Sequence, residues 1–376
     1  MSPTENAKND NPFPGLRPFR EDEEHLFFGR ERQIDRMIDK LRPSRFLAIV
    51  GTSGCGKSSL VNCGLRPALH RGLMSQAGTA WRVAQFRPGN QPIRALAHTL
   101  AAPGVLFSEE TERTGRRSVV RDHSGSPPLE EIVDATLRIS ALGVADIYQQ
   151  GYPRGGVNLL VVVDQFEELF RYRKLTGSAN PDQYGLSEGV VAFVRLLLEA
   201  RAQPDFPIYV ALTMRSDFLG ECAQFEGLPE AINEGQYLVP RMSRAERRSA
   251  IEGPVAVGGG KISPVLLTRL VNDVGDNPDQ LSILQHALNR TWARCMHDSA
   301  ARGQLLPGHY EDIGSIAHAL DKHAEKAWEE LKEQGQQDIC RKVFRALTDK
   351  GTDPRESAVP RASHRFARWP QPTRPR

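Results

Sequence analysis

Residues 51–58 have the types and spacing of a loop that binds phosphate. They read "GTSGCGKS", satisfy G-x-x-x-x-G-K-[ST], and stand between a strand pattern and a helical pattern. Glycines let the backbone curl around an anion, although a glycine-rich turn without a ligand is the alternative. We expect Lys57 to reach the β- and γ-phosphates of ATP or ADP and Ser58 to ligate Mg²⁺. The nucleotide-binding residues predicted here are Gly51, Thr52, Ser53, Gly54, Cys55, Gly56, Lys57, Ser58 and Ser59.

A carboxylate stands where such a loop needs a second magnesium ligand. In "LLVVVDQFEELF", five apolar residues precede Asp164. A carboxylate there could simply mark the end of a strand, but the presence of the glycine-rich loop makes a magnesium ligand the favoured interpretation. The next residue, Gln165, cannot act as a base, so we predict that Glu167 positions the attacking water. Glu168 lies beside it, and either glutamate could instead cap or solvate the start of a helix. Hydrolysis will be slow if neither carboxylate is well placed.

An arginine ends another apolar strand pattern, "IYVALTMR". Arg215 could sense the γ-phosphate, because its guanidinium is a fixed charge with several donors. The alternative is an ordinary surface cation. No [NT]-K-x-D motif is present, so guanine selectivity is not expected. The predicted catalytic set is therefore Lys57, Asp164, Glu167 and Arg215.

Uniformly apolar strands alternating with amphipathic helices must position these residues. Strand patterns at 46–50, 81–86, 159–163, 208–213 and 237–239 predict an α/β fold with a parallel five-stranded sheet covered by helices on both faces. A strand intervenes in sequence between the loop strand and the Asp164 strand, as in AAA+ and related ATPases. From Pro240 onward only helical periodicity is evident, which predicts an all-helical lid.

Composition divides the chain further. We predict a disordered N-terminus at 1–10, a nucleotide-binding domain at 11–239, a helical lid at 240–337, the start of a winged helix at 338–353 and a disordered tail at 354–376. Within the nucleotide-binding domain, residues 107–128 are charged and lack apolar periodicity, which indicates an exposed insertion. The tail has six arginines and five prolines, which cannot form a packed core.

Charge and cysteine usage exclude several classes of protein. The net charge is only +3, and because the tail carries +5 the rest of the chain sums to about −2, so a nucleic-acid-binding body is not expected. No apolar run could span a bilayer and the polar start lacks a secretory signal, so we expect a cytoplasmic protein without a membrane partner. The five cysteines are scattered, odd in number and never form C-x-x-C, which argues against zinc or disulfides.

Taken in order, the motifs resemble the novel STAND NTPase family of bacterial signal-transduction ATPases, relatives of the NACHT and AP-ATPases. The resemblance covers about residues 11 to 350. It rests on "NPFPGLRPFREDEEHLFFGRERQIDRMIDKL", "GTSGCGKS", "VVVDQFEELF", "LTMRSDFLG", "YLVPRMSRAERRSAIEGP" and "NPDQLSILQHALNRTW". It implies that Gly29 and Arg30 of "FFGRE" border the adenine pocket and that Arg215 is the sensor. It also implies that Pro278 closes over the nucleotide, although Pro278 equally suits the first turn of a helix.

The resemblance implies a signalling switch that is closed with ADP and able to self-associate with ATP, and that has protein partners. Family members usually continue into a winged helix and a repeat sensor, so we expect a chain truncated or frame-shifted before those domains. Three functions remain open: a slow Mg²⁺-dependent ATPase core, a nucleotide-binding interaction module without significant turnover, and an AAA+-like DNA-associated ATPase. Only the arginine-rich tail favours the third, and such tails are more often solvated ends.

Overall fold

The computed structural model describes residues 11–107, 128–152, 156–175, 188–275, 280–301, 303–333 and 336–348. The chain divides into two compact units, residues 1–316 and residues 317–376. The predicted insertion at 107–128 falls almost entirely outside the described residues, as do the predicted N-terminal segment 1–10 and the tail.

The centre of the first unit is a parallel five-stranded sheet. Its strand order is β2-β3-β4-β1-β5, so β4 separates the strand before the glycine-rich loop from the strand that ends at Asp164. All five predicted strands are confirmed, with boundaries that differ by at most two residues. The strands are β1 Phe46–Gly51, β2 Trp81–Phe86, β3 Asn158–Val163, β4 Ile208–Arg215 and β5 Gln236–Leu238.

Helices cover both faces of this sheet, as predicted. Alternate residues of β1 enter two different cores: Phe46 belongs to one, and Leu47 belongs to the other. Because both faces are covered, every residue of β1 and β3 is buried, which explains their uninterrupted apolar sequences. The helices of this part are α1 Glu31–Ser44, α2 at 57–70, α3 Pro92–Leu100, α4 Leu129–Ile139, α5 Gly143–Gly151, α6 Glu168–Leu175, α7 Glu188–Ala202 and α8 Leu228–Gly235.

A mainly helical part follows β5. Its first helix begins with a capping box, in which Ser243 accepts from the Glu246 N–H and the Glu246 carboxylate accepts from the Ser243 N–H. Its helices are α9 Arg244–Val257, α10 Pro264–Asp273, α11 Gln280–Met296 and α12 Pro307–Asp312.

The helical part also contains a two-stranded parallel sheet, so the prediction of an all-helical lid was wrong on this point. Strand β6, Lys261–Ile262, pairs with β7, Gln304–Leu305. Each strand has only two residues, too few for an alternating pattern to show in the sequence.

The first described residues form an irregular strap, with a turn at 15–16, between the helical part and the phosphate-binding loop. Asn11 Nδ2 donates to the carbonyl of Asn289 in α11 at 2.8 Å, and Asn289 Nδ2 donates back to the Phe13 carbonyl at 2.6 Å. Further along, the Phe19 N–H donates to Ser59 Oγ in α2 at 3.2 Å. The strap, residues 11–19, thus joins elements that are distant in sequence.

The second unit contains most of α13, Ser315–Glu333, and all of α14, Gln337–Thr348. Gln337 Nε2 donates to the Trp328 carbonyl at 2.9 Å, and the Arg341 guanidinium lies 5.5 Å from the Trp328 ring centre. The start of a winged helix at 338–353 remains a prediction. Within the described residues, no helix is both long enough and apolar enough to cross a membrane.

Candidate functional site

The glycine-rich loop connects β1 to α2, as its sequence predicted. Gly54 and Gly56 have φ angles of 71° and 93°, which side chains with a Cβ rarely adopt. Lys57 begins the helix, and its ammonium group donates to the carbonyls of Gly51 at 2.9 Å and Thr52 at 2.7 Å. The lysine is thus folded over its own loop, where a phosphate could replace these carbonyl contacts.

Three side-chain oxygens meet beside the loop. Ser58 Oγ donates to Asp164 Oδ1 at 2.9 Å, and Thr213 Oγ1 donates to the same oxygen at 2.6 Å. Asp164 is 7% exposed and Thr213 only 1%, so the cluster is fixed in the interior. Hard oxygen ligands of this kind suit Mg²⁺, which usually takes one or two protein oxygens plus substrate phosphates. The residues therefore fit a magnesium–nucleotide complex.

Thr213 also holds the turn that follows β3. Its hydroxyl accepts from the Gln165 N–H at 2.9 Å, and its carbonyl accepts from the Phe166 N–H at 2.9 Å. Gln165 has a φ of 59°, a left-handed conformation that is uncommon for residues other than glycine. Because the hydroxyl accepts from Gln165, its own proton is directed at Asp164. Thr213 was not among the predicted site residues.

The two candidate glutamates have different surroundings. Glu167 lines the cavity beside the loop, is 5% exposed, and accepts from the Arg215 N–H at 3.4 Å. Glu168 Oε2 instead accepts from the Gly89 N–H at 3.1 Å, and Glu168 does not line that cavity. Burial raises the pKa of both carboxyls. Of the two glutamates, Glu167 is thus the one that faces the cavity.

Arg215 is the last residue of β4 and lines the cavity, but its charge is already paired. Its Nε and NH2 donate to the two oxygens of Asp217 at 3.0 and 2.6 Å. Burial opposes ionisation of Asp217, yet the hydrogen bonds from Arg215 keep the pKa of Asp217 below its ordinary value. A sensor role for Arg215 therefore requires this pair to open.

Arg87 is a second arginine that lines the cavity near the glycine-rich loop, and it was not among the predicted site residues. Its Nε lies 3.7 Å from Asp164 Oδ2, the oxygen opposite the one that Ser58 and Thr213 use. With the Gln165 amide oriented to satisfy its neighbours, its oxygen accepts from Arg87 NH2 at 3.2 Å. Its nitrogen then donates to Glu168 Oε1 at 3.1 Å.

The "FFGRE" motif joins the loop to the helical part. Arg30 is 3% exposed, lines the cavity, and donates to the carbonyls of Pro240 at 2.9 Å and Cys55 at 3.2 Å. Burial lowers the pKa of its guanidinium. Gly29 has a φ of 81°, and a Cβ there would lie 2.4 Å from the Glu246 carbonyl oxygen. Gly29 thus acts through backbone packing and does not line the cavity.

The cavity that these residues surround has a volume of about 300 Å³. One end is polar and holds Lys57, Ser58 and Glu167, whereas the other is largely apolar and suits a base. The apolar end is formed by the strap, the 3₁₀ helix Glu21–Leu26, the "FFGRE" motif and α11, which contribute Pro14, Phe19, Leu26, Phe27, Phe28, Leu281 and Leu284.

Most predicted binding residues line this cavity. The exceptions are Gly51, Thr52, Gly29 and Asp164, although Asp164 reaches it through Ser58. Pro278 lies outside the described residues, whereas Ser282 and Gln285 of the same region line the cavity and were not predicted. The Oε1 of Gln285 is buried and has no hydrogen-bond partner within the described residues.

A parallel sheet of this strand order, with the glycine-rich loop after β1 and an acid at the end of β3, defines a P-loop nucleoside triphosphatase of the ATPase type. Within that class, the chain belongs to the family named Novel STAND NTPase 1, whose family model matches residues 12–371. It is thus a nucleotide-binding NTPase by family. No curated protein matches the chain.

Three solved structures are similar to this chain at low sequence identity. Aeropyrum pernix ORC1 in complex with DNA is 15% identical, with a TM-score of 0.44, and the match covers 82% of this chain and 68% of that one. Aeropyrum pernix ORC2, with ADPNP and ADP, is 13% identical, with a TM-score of 0.45 and coverages of 82% and 71%. A Walker-type ATPase of Pyrococcus abyssi is 16% identical, with a TM-score of 0.43 and coverages of 89% and 81%.

Proposed function

We propose that the protein is the core of an ATP- and ADP-controlled signalling switch that hydrolyses ATP slowly with Mg²⁺. The observation that carries this proposal is the cluster of Ser58, Asp164 and Thr213 beside Lys57, at the polar end of a cavity with an apolar opposite end. Such an arrangement can bind a phosphate chain, a divalent cation and a base together.

Each residue has a proposed part in this site. Lys57 would turn from the Gly51 and Thr52 carbonyls to the phosphates, and Ser58 and Asp164 would hold Mg²⁺. The metal would neutralise phosphate charge during phosphoryl transfer. Glu167 would orient the attacking water. We expect slow turnover because Gln165, the residue next to Asp164, cannot act as a base, and because burial raises the pKa of Glu167 and so opposes its ionisation.

The switching function would rest on the contact between the sheet and the helical part. Nucleotide would bias two arrangements of these elements, and a shift from mostly closed to mostly open needs roughly 5 kcal/mol of differential binding. We propose that Arg215, once released from Asp217, and Pro278 contribute to this bias. Self-association in the ATP state and protein partners in signalling belong to the same proposal.

The first experiment identifies the nucleotide that the purified protein carries. The protein is purified gently and denatured, and the released nucleotide is identified by chromatography. Stoichiometric ADP in the wild type, and none in Lys57→Ala, is the expected result. A site that is empty and also fails to take up added ATP would contradict the proposal.

Turnover separates the slow ATPase from the second candidate, a nucleotide-binding module without hydrolysis. The second candidate is favoured by Gln165, which occupies the position next to Asp164 and cannot act as a base. We expect phosphate release that is lost in both Lys57→Ala and Asp164→Ala. If the wild type binds ATP but releases no phosphate above the level of these variants, the binding module is the correct function.

A further inference from the structure

The pairing of β2 with β3 brings Arg87 to the metal side of the site. Phe86, the last residue of β2, lies opposite Val163, the last residue of β3. The next residues of the two strands, Arg87 and Asp164, are therefore neighbours, and the Asp164 N–H donates to the Phe86 carbonyl at 2.8 Å. Arg87 lines the cavity together with Lys57.

The loop that carries Arg87 is anchored, whereas the Arg87 side chain is more than half exposed. The Gly89 N–H donates to Glu168 Oε2 at 3.1 Å, which ties the loop after β2 to the start of α6. The Arg87 side chain is 56% exposed, and its contact with Asp164 is 3.7 Å long, beyond the range of a good hydrogen bond. Arg87 NH2 also donates to the Gln165 amide oxygen at 3.2 Å. Contacts of an exposed side chain contribute little free energy, so the guanidinium can leave both partners at low cost.

The other cations at this end of the cavity are already engaged. Lys57 would contact the β- and γ-phosphates as one point charge, and Arg215 is held by both oxygens of Asp217. A magnesium ion at Asp164 would compete with Arg87 for the carboxylate, since both are attracted by the same charge. The guanidinium would then lie next to the phosphate farthest from the base.

We propose that Arg87 recognises the terminal phosphate of ATP and is the main source of discrimination between ATP and ADP. This inference rests on the proposed nucleotide site. Arg87 lies beside Asp164 and partly neutralises it, and with ATP bound it would turn to the γ-phosphate. Arginine suits this exchange because its planar donors match phosphate oxygens as well as carboxylate oxygens.

The test compares equilibrium binding of ADP and of a non-hydrolysable ATP analogue, both with Mg²⁺, by titration calorimetry. For Arg87→Ala we expect the analogue to bind about tenfold more weakly or worse, which is typical of a lost charge-assisted hydrogen bond, with ADP unchanged within about twofold. Arg87→Lys should retain part of the preference. The control is Arg94→Ala in α3, which removes an exposed arginine outside the cavity.

Each other outcome has a definite meaning. An unchanged ratio of the two affinities in Arg87→Ala overturns the inference while leaving the nucleotide site intact. Equal weakening of both ligands, with an unchanged melting curve, also overturns it, because Arg87 would then be a general phosphate contact. If the wild type binds neither ligand, the proposed function fails and the inference fails with it.

Discussion

Replacing Thr213 with valine keeps the volume of a fully buried side chain and removes its hydroxyl. That hydroxyl accepts from the Gln165 N–H at 2.9 Å and donates to Asp164 Oδ1 at 2.6 Å. After the change the Gln165 N–H has lost its partner, in a turn whose left-handed φ needs support. Asp164 keeps the hydrogen bond from Ser58 but loses the one that fixes its carboxylate plane.

The magnitude follows from these two losses. An unsatisfied buried N–H costs about 1–3 kcal/mol, and because this one is partly buried we expect the free energy of unfolding to fall by about 1–2 kcal/mol. The melting temperature should then fall by roughly 1.5–3 °C, because the unfolding entropy of a unit of this size is large. If the looser orientation of Asp164 costs about 1 kcal/mol of metal binding, Mg²⁺–ATP should bind roughly fivefold more weakly.

Urea denaturation followed by fluorescence measures the first effect, and titration of Mg²⁺–ATP measures the second. Thr99→Val is the matched control, because Thr99 Oγ1 only donates to the Ala95 carbonyl within α3. We expect the control to change the free energy of unfolding by less than about 0.5 kcal/mol. If Thr213→Val also unfolds like the wild type and binds Mg²⁺–ATP equally well, the role assigned to this hydroxyl is wrong.

Two further changes test other parts of the structure. Gly29→Ala should lower the free energy of unfolding by about 2 kcal/mol or more, measured in urea, because its φ of 81° is strained for alanine and the Cβ would meet the Glu246 carbonyl. Burial raises the pKa of Glu167, so the rate of phosphate release should fall as the pH drops through that raised value, and Glu167→Gln should abolish both the rate and this pH dependence. Because the folded protein holds the proton on Glu167 more tightly than the unfolded chain does, the free energy of unfolding should fall as the pH rises from the ordinary glutamate pKa through the raised pKa of Glu167. Urea titrations at several pH values should show that Glu167→Gln removes this pH dependence.

The sheet and the phosphate loop were predictable because each depends on a local pattern. The strands of this sheet are buried on both faces, so their sequences are short apolar runs that need no partner to be recognised. The loop motif fixes residue types at fixed spacing, and Ser58 and Asp164 meet because parallel strands place their carboxyl ends at the same edge of the sheet.

Two other neighbours of Asp164 depend on strand register, which no local pattern encodes. Thr213 and Arg87 reach Asp164 because β4 and β2 flank β3 on its two sides. A strand that ends in threonine or arginine looks the same in sequence whichever strand it pairs with. The pairing of Arg215 with Asp217 could have been predicted from the sequence, because a carboxylate only two residues away competes with any distant partner for the guanidinium.

The strap has a consequence for the order in which the protein can form during synthesis. Asn11 and its partner Asn289 are 278 residues apart, so the strap is made early and its docking site late. At ~5–20 residues per second, the interval is roughly 15 s to 1 min. Phe13 and Phe19, which are buried in the finished protein, have no complete docking site during that time. The apolar wall of the cavity can therefore close only after α11 has left the ribosome.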